Sequence, residues 1–78
     1  MNRVGDLIQL EELMVFATIY DRPWTDAFKD DPGYVGFISR GEFCFFLGEE
    51  IHWTFLLTPQ GVKGWIETDK LTFFPHDT

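Results

Sequence analysis

The stretch that decides the fold is Trp53-Thr54-Phe55-Leu56-Leu57-Thr58-Pro59-Gln60-Gly61-Val62-Lys63-Gly64-Trp65-Ile66. Its two arms, residues 53–57 and 62–66, contain the aromatic and β-branched side chains that suit a pleated strand. Pro59 and Gly61 lie between the arms, where they favour a tight turn. The stretch therefore predicts a β-hairpin.

Four further strands are predicted before the hairpin, over residues 4–10, 14–20, 34–38 and 42–47. Most of the boundaries between them carry glycine, proline or short polar residues, which punctuate regular structure. Six short strands joined in this way are typical of a small all-β barrel or sandwich. No repeat or linker divides the chain, so residues 1–78 are interpreted as one domain.

The N-terminal segment has two interpretations. Residues 4–10 fit a strand, but Leu7, Leu10, Leu13 and Met14 also recur at helical spacing, and Asp6 could cap a helix there. Residues 1–13 are therefore expected to form either an extra strand or a helix.

Composition gives two expectations about the interior. A chain of 78 residues buries only about 60% of its unfolded surface. Nine Phe, three Trp and two Tyr are expected to compensate by making the core dense. Cys44, the single cysteine, is predicted to be a buried and unreactive thiol between aromatic neighbours.

The charge balance excludes some partners. Thirteen acidic and six basic side chains give a formal net charge of −7, which repels nucleic acids and anionic membranes. The sequence shows neither a signal peptide nor a membrane span, and one cysteine cannot form an internal disulfide. We therefore expect a cytoplasmic protein that binds neither nucleic acid nor membrane.

Ala17-Thr18-Ile19-Tyr20-Asp21 resembles the Ala-Leu-Tyr-Asp-Tyr signature of Src-homology-3 domains, and an acidic loop follows it as in that family. Gly41-Glu42 is similar to the family's Lys-Gly-Glu turn, and Gly64-Trp65-Ile66 resembles the segment before its single helical turn. The resemblance implies a Src-homology-3-like small barrel of five to six short strands, with one helical turn near residues 67–70. Similar short barrels occur in bacteria and phages.

Two departures concern the groove that binds proline-rich peptides in this family. Arg22 stands where the signature has its second tyrosine, and residues 67–70 replace the Pro-Ser-Asn-Tyr segment. The resemblance therefore implies the fold rather than a Pro-x-x-Pro ligand.

The acidic loop, residues 21–33, is the first candidate site, since long loops in small domains often carry function. Asp26, Asp30 and Asp31 could bind a basic residue of a partner, as acidic residues of this loop do in the resembled family. The alternative is a solvated loop without a ligand.

An aromatic groove is the second candidate site. Tyr20, Trp24 and Trp53 could line it, with Trp53 near the position of the family's ligand-stacking tryptophan. In a chain this small, at least one of the three is expected to be core. Trp65 is interpreted as a packing residue.

Catalytic residues are sparse. Ser39 is the only serine, His52 and His76 are the only histidines, and no motif joins a nucleophile to a base. His52 is interpreted as an exposed strand residue. Phosphate-cradling and metal-ligand motifs do not occur. We expect no enzyme, no cofactor and no metal.

The leading hypothesis is a protein-interaction module that holds a basic or apolar partner segment through its acidic loop and aromatic face. The alternative is a small homo-oligomeric assembly protein of phage type, in which Phe45 or Phe74 lies in a subunit contact, because both faces of residues 42–47 are apolar. A third hypothesis is an acidic decoy that occupies a nucleic-acid-binding site on another protein.

Overall fold

Seven strands and one short helical turn make up the fold of this chain, whose computed structural model describes residues 2–24 and 33–74. The strands are β1 (Leu7–Leu10), β2 (Phe16–Tyr20), β3 (Tyr34–Ser39), β4 (Cys44–Glu50), β5 (Trp53–Leu57), β6 (Lys63–Glu67) and β7 (Leu71–Phe74). A single turn of 3-10 helix, Thr68–Lys70, lies between β6 and β7.

The strands form one antiparallel sheet in the order β3-β2-β6-β5-β4-β1-β7. The all-β prediction is confirmed, and so is the helical turn at residues 67–70. The structure has one strand more than the upper limit of the prediction, because Leu71–Phe74 forms β7 against β1. The pairing starts at β3 and ends at β7 without joining them, so the sheet is not closed into a barrel.

The N-terminal segment is a strand and not a helix. β1 pairs with β7 on one side and with β4 on the other, so both of its edges have partners. Ile8 and Leu10 are buried on the inner face, whereas Leu13 is 82% exposed. The leucines at helical spacing therefore share no buried face, and the period of two determines the structure.

The core is aliphatic. The largest fully buried apolar side chains are those of Ile8, Ile19, Ile38, Leu56 and Ile66. They alternate with outward-facing residues along their strands, as expected for a sheet with one buried face. Of the thirteen aromatic residues that the structure describes, only Phe46 and Trp53 are buried, so the predicted aromatic core is wrong.

Strand β4 shows how the aromatic residues are distributed. Cys44 and Phe46 face the core, whereas Phe43, just before the strand, and Phe45 remain 47% and 42% exposed. The buried position of Cys44 is as predicted. Burial, together with the charge of Glu42, raises the pKa of the Cys44 thiol to about 11, so that it stays protonated at neutral pH.

Gly64 allows β2, β3 and β6 to approach closely. A Cβ atom at this position would lie 2.7 Å from Val35 Cγ2 and 2.9 Å from the carbonyl oxygen of Tyr20. Tyr20 is also the residue through which β2 pairs with β6, opposite Trp65. The glycine therefore helps to place the end of β2, where the candidate site begins. Within the described ranges, no helix is long and apolar enough to cross a membrane.

Candidate functional site

Four aromatic side chains meet where β2, β3 and β5 approach one another; we call Tyr20, Trp24, Tyr34 and Trp53 the aromatic cluster. The ring of Tyr20 lies at its centre, with centroid distances of 5.6 Å to Trp24, 5.5 Å to Tyr34 and 6.1 Å to Trp53. The Trp24 and Trp53 rings are 6.4 Å apart. These distances are typical of edge-to-face and tilted aromatic contacts.

The four rings differ in what they offer to a partner. Trp53 is only 6% exposed and forms the base of the cluster, although it does not belong to the aliphatic core cluster. Tyr20 and Trp24 are half-buried, and Tyr34 is 77% exposed. Tyr34, rather than Trp53, therefore presents a ring to solvent.

Local backbone structure positions these rings. Tyr20 is the last residue of β2 and pairs with Tyr34, and an irregularity in the register at this point leaves Val35 without a direct partner. Bulges of this kind redirect neighbouring side chains. Asp21 then closes the base of the following loop, since its backbone N–H donates to Gly33 O at 2.9 Å and its Oδ1 accepts from the Gly33 N–H at 3.1 Å.

Trp24 contributes an unsatisfied polar group. Its Nε1–H is shielded from solvent and finds no hydrogen-bond acceptor in the described part of the chain. A buried donor without a partner costs about 1–3 kcal/mol. Within the described residues, the Trp24 ring contacts the rings of Tyr20 and Trp53, and no hydrogen bond from its indole adds to these contacts.

An acidic cleft adjoins the aromatic cluster. It has a volume of about 820 Å³, and its lining residues are Glu49, Glu50, Ile51, His52, Glu67, Thr68 and Asp69. Strand pairing places Trp53 between Glu50 and Glu67, so the buried tryptophan connects the cluster to this cleft. Four carboxylates and one exposed isoleucine give the cleft a negative and partly apolar wall.

Two contacts involve residues that line the acidic cleft, Thr68 and Glu67. Thr54 Oγ1 and Thr68 Oγ1 share a hydrogen bond of 2.8 Å, which ties the helical turn to β5. Lys70 Nζ lies 3.2 Å from Glu67 Oε1 and compensates part of the charge. His52, at the tip of the β4–β5 turn, has a φ of 69° and is exposed. Its exposure agrees with the prediction, but it belongs to a turn and not to a strand.

The predicted site residues fall into two groups. The structure brings Tyr20, Trp24 and Trp53 together in one cluster. Asp26, Asp30 and Asp31 lie outside the described residues, so their relation to the cluster is a prediction. Trp65 is half-buried and packs its ring 4.9 Å from that of Phe55, on β5.

Sequence reasoning missed Tyr34 and the cleft. Tyr34 follows Pro32-Gly33 and reads as an ordinary first residue of a strand, whereas the resemblance favours the tryptophans. Glu49 and Glu50 end β4, Glu67 ends β6, and Asp69 lies in the helical turn that follows. Their proximity follows from the pairing of β5 with both strands. The adjacent acidic pair Glu49-Glu50 is the one signal that the sequence offers.

Metal-ligand groups and the thiol of Cys44 are the next features of the described residues. No group of three or more His, Cys, Asp or Glu side chains among residues 2–24 and 33–74 could hold a metal ion. Cys44 is fully buried, and its raised pKa opposes formation of a thiolate.

The comparisons with known proteins give no family assignment: no protein-family model matches the chain, and neither a curated protein nor a solved structure shows significant similarity to it. Function is therefore inferred from the geometry of the site.

Proposed function

We propose that this protein is a non-enzymatic interaction module that binds a basic or apolar segment of a partner protein across the aromatic cluster and the acidic cleft. The proposal includes a Src-homology-3-like arrangement of the strands, extended by β1, with the acidic loop beside the cluster. Its partner is a protein or peptide, and its setting is the cytoplasm.

The observation that carries the proposal is the exposure of Tyr34 on a fixed aromatic base. Tyr34 is 77% exposed and stacks against Tyr20, which in turn contacts the buried Trp53. A rigid ring of this kind offers contact area at low entropic cost and is typical of binding hot spots. An arginine or lysine of a partner could lie over the ring while the carboxylates of the cleft balance its charge.

The charges are expected to guide association. The net charge of −7 attracts a basic segment over a distance of about one Debye length, and exposed carboxylates mainly raise the association rate. The double variant Asp30→Asn with Asp31→Asn should therefore slow association and flatten its salt dependence. The dissociation rate should change little.

Selection of peptides from a random displayed library tests the proposal directly, since it does not require an identified partner. We expect selected peptides to be enriched in arginine or lysine next to apolar residues. Their affinity should fall about tenfold or more for Tyr34→Ala, because a hot-spot side chain contributes about 2 kcal/mol. Phe43→Ala is the matched control, since Phe43 is an exposed aromatic residue just before β4, outside the cluster.

Two results would contradict the proposal. One is a selection without any preference for basic or apolar peptides. The other is equal affinity of the selected peptides for wild type and Tyr34→Ala, when both have the same melting temperature. If Tyr34→Ala also lowers the melting temperature, loss of binding could follow from partial unfolding. Tyr34→Phe then serves as the test variant, because it keeps the ring and should restore binding.

A second candidate function is a homo-oligomeric assembly protein. Phe45 and Phe74 are each 42% exposed and belong, with Leu7 and Phe43, to an apolar patch on the outer face of the sheet. The Phe43 and Phe74 rings are 5.9 Å apart. Sedimentation at micromolar concentration should then show a dimer or larger species, and a monomer at all concentrations would exclude this candidate.

A further inference from the structure

A second cleft is lined by strand β3 and by the turns at residues 39–42 and 58–62. It has a volume of about 360 Å³, and its lining residues are Gly36, Phe37, Ser39, Glu42, Gln60 and Val62. None of these residues belongs to the aromatic cluster or lines the acidic cleft. A volume at the lower end for ligand sites suits one side chain better than a peptide segment. We call this feature the Glu42 cleft.

Glu42 is the one charged residue in the lining of the Glu42 cleft. Its Oε2 accepts a hydrogen bond from Gln60 Nε2 at 2.6 Å, and its Oε1 accepts one from the Ser39 N–H at 2.8 Å. These bonds lower the pKa of the carboxyl group, so it is ionised at neutral pH. Both donors are neutral and do not balance its charge. An ionised carboxylate has about four acceptor positions, so Glu42 can accept a further donor.

Hydrogen bonds hold both turns that form the walls of the Glu42 cleft. In the first turn, the Glu42 N–H donates to Ser39 O at 3.1 Å. In the second, the Thr58 N–H donates to Val62 O at 2.8 Å, and the Val62 N–H donates to Thr58 Oγ1 at 3.1 Å. The bond between Gln60 and Glu42 joins the two turns. The carboxylate is therefore positioned before a ligand binds, which lowers the entropic cost of binding.

Apolar side chains lie beside the carboxylate in the Glu42 cleft. The ring of Phe37 is 61% exposed, and Val62 is half-buried. A Cβ atom at Gly36 would lie 3.3 Å from Val62 Cγ1, so β3 and the second turn approach closely at this position. Apolar surface beside an anionic acceptor suits a ligand that has an aliphatic stem and a cationic end.

We propose that the Glu42 cleft binds the side chain of a lysine residue of a partner protein, with the ammonium group at the Glu42 carboxylate and the methylene stem against Phe37 and Val62. An ammonium group has three donors. Besides the carboxylate, the Ser39 hydroxyl and the Gln60 amide oxygen are acceptors among the lining residues. The Phe37 ring adds attraction for a cation, and the net charge of −7 favours a cationic ligand.

Lysine fits these acceptors better than arginine does. A guanidinium group prefers a two-point contact with both oxygens of one carboxylate, and each Glu42 oxygen already accepts a bond from a fixed donor. An ammonium group acts as a point charge and can distribute its three N–H groups among separate acceptors. The α-amino group at the start of a chain lacks the four-carbon stem that covers Phe37 and Val62. The ligand is therefore assigned as a lysine side chain.

This inference goes beyond the proposed function, because it concerns a separate site. Tyr34→Ala, which tests binding at the aromatic cluster, should leave lysine binding in the Glu42 cleft unchanged. Either proposal can therefore fail without the other.

Titration of the full isotope-labelled chain with Nα-acetyl-lysine N-methylamide, followed by NMR, tests the proposal. We expect saturable shifts of the backbone amides of residues 36–39 and 60–62, with a dissociation constant of about 1–10 mM for so small a ligand. The uncharged norleucine analogue should not bind. The arginine analogue should bind more weakly than the lysine compound, and leucine N-methylamide, which has a free α-amino group, should bind more weakly as well.

Two variants with matched loss of charge locate the ammonium group. Glu42→Gln should raise the dissociation constant of the lysine compound about threefold to fivefold, the range of an exposed ion pair. Glu49→Gln removes the same charge from the acidic cleft and should leave that constant unchanged. Phe37→Ala keeps the hydrogen bonds of Glu42 and should raise the constant about twofold or more. The amide spectrum shows whether each variant is folded, and Phe37→Ala decides if Glu42→Gln is not.

Three results would overturn the proposal. The first is a titration in which the amides of residues 36–39 and 60–62 show no saturable shift. The second is equal affinity of wild type and a folded Glu42→Gln for the lysine compound, or, if Glu42→Gln is unfolded, equal affinity of wild type and Phe37→Ala. The third is binding of the arginine, norleucine or leucine compound at these amides that is as tight as that of the lysine compound.

Discussion

The two faces of the sheet are both apolar, but they are built from different side chains. The core cluster on the inner face consists of buried isoleucine, leucine and alanine side chains together with Cys44, and Phe46 is its one aromatic residue. The outer face carries most of the aromatic residues, and several of them are 40–80% exposed, among them Phe16, Tyr34 and Phe37. Aliphatic side chains thus hold the fold, and aromatic side chains are left at the surface.

This difference matters for function because a small protein gains less stability from a largely exposed ring than from a buried side chain. Contiguous exposed apolar surface in a folded domain usually marks a contact with another molecule. The aromatic cluster, with its exposed Tyr34, and the exposed rings of Phe16 and Phe37 on β2 and β3 are two such surfaces. The difference between the faces therefore supports binding functions, and substitutions can show whether a given residue belongs to the stabilising or the exposed set.

Trp53 is an aromatic residue that is buried, unlike most of the others, and its substitution has the largest expected effect. It lies outside the core cluster but is only 6% exposed, so it should behave as a structural residue. We expect Trp53→Ala to lower the free energy of unfolding by about 3–5 kcal/mol. Tyr34→Ala, in the same cluster but exposed, should lower it by less than about 1 kcal/mol. Urea denaturation of both variants measures these values.

A loss below about 1 kcal/mol in Trp53→Ala would contradict this assignment. It would restore the interpretation of Trp53 as a ligand-stacking ring, as the sequence resemblance implies.

Gly64 tests whether the inner face is closely packed where β2, β3 and β6 meet. A Cβ atom there would contact the Ile19 side chain and lie 2.9 Å from a backbone oxygen, which cannot move at low cost. Gly64→Ala should therefore destabilise the protein by about 1–3 kcal/mol, as overpacking usually does. Gly48→Ala is the matched control, because a Cβ at Gly48 meets nothing within 4 Å. Equal melting temperatures for the two variants would argue against close packing at Gly64.

Glu42 gives the smallest expected effect. Hydrogen bonds from Gln60 Nε2 at 2.6 Å and from the Ser39 N–H at 2.8 Å lower the pKa of its carboxyl group. Because the pKa is lower in the folded state, the contribution to stability is present at neutral pH and is lost as the pH falls through the folded-state pKa. The urea midpoint of wild type should thus fall more steeply than that of Glu42→Gln between pH 7 and about pH 3. Identical slopes would show that Glu42 contributes nothing.

Much of the fold follows from local patterns in the sequence. The hairpin of β5 and β6 and the strands β2 to β4 are predictable, because period-two patterns and turn residues are local signals. The helical turn at Thr68–Lys70 is expected from the resemblance to Src-homology-3 domains and not from a local pattern. The sequence leaves the choice between strand and helix open for Leu7–Leu10, since that choice depends on pairing with Phe73 and Cys44, which are far away in the sequence. β7 is not predicted either, because it forms by pairing with β1, which is far away in the sequence.

The candidate site is predictable only in part. The sequence identifies Tyr20, Trp24 and Trp53 but does not show which of them is buried. Trp53 contacts the rings of both Tyr20 and Trp24, and these contacts arise only in the folded sheet. The sequence of β4 is apolar on both faces and gives no sign of which face is inside. For this reason composition predicts an aromatic core, whereas the structure leaves most of the aromatic residues at least partly exposed.

The most direct test of the account is the difference in unfolding free energy between Ile38→Ala and Phe37→Ala, measured by urea denaturation at a protein concentration too low for association. The two residues are neighbours on β3, with Ile38 fully buried and Phe37 61% exposed. We expect Ile38→Ala to cost about 2–5 kcal/mol and Phe37→Ala less than about 1 kcal/mol, although phenylalanine loses more atoms. A cost for Phe37→Ala equal to that of Ile38→Ala would show that the outer aromatic face stabilises the fold, and would contradict the account.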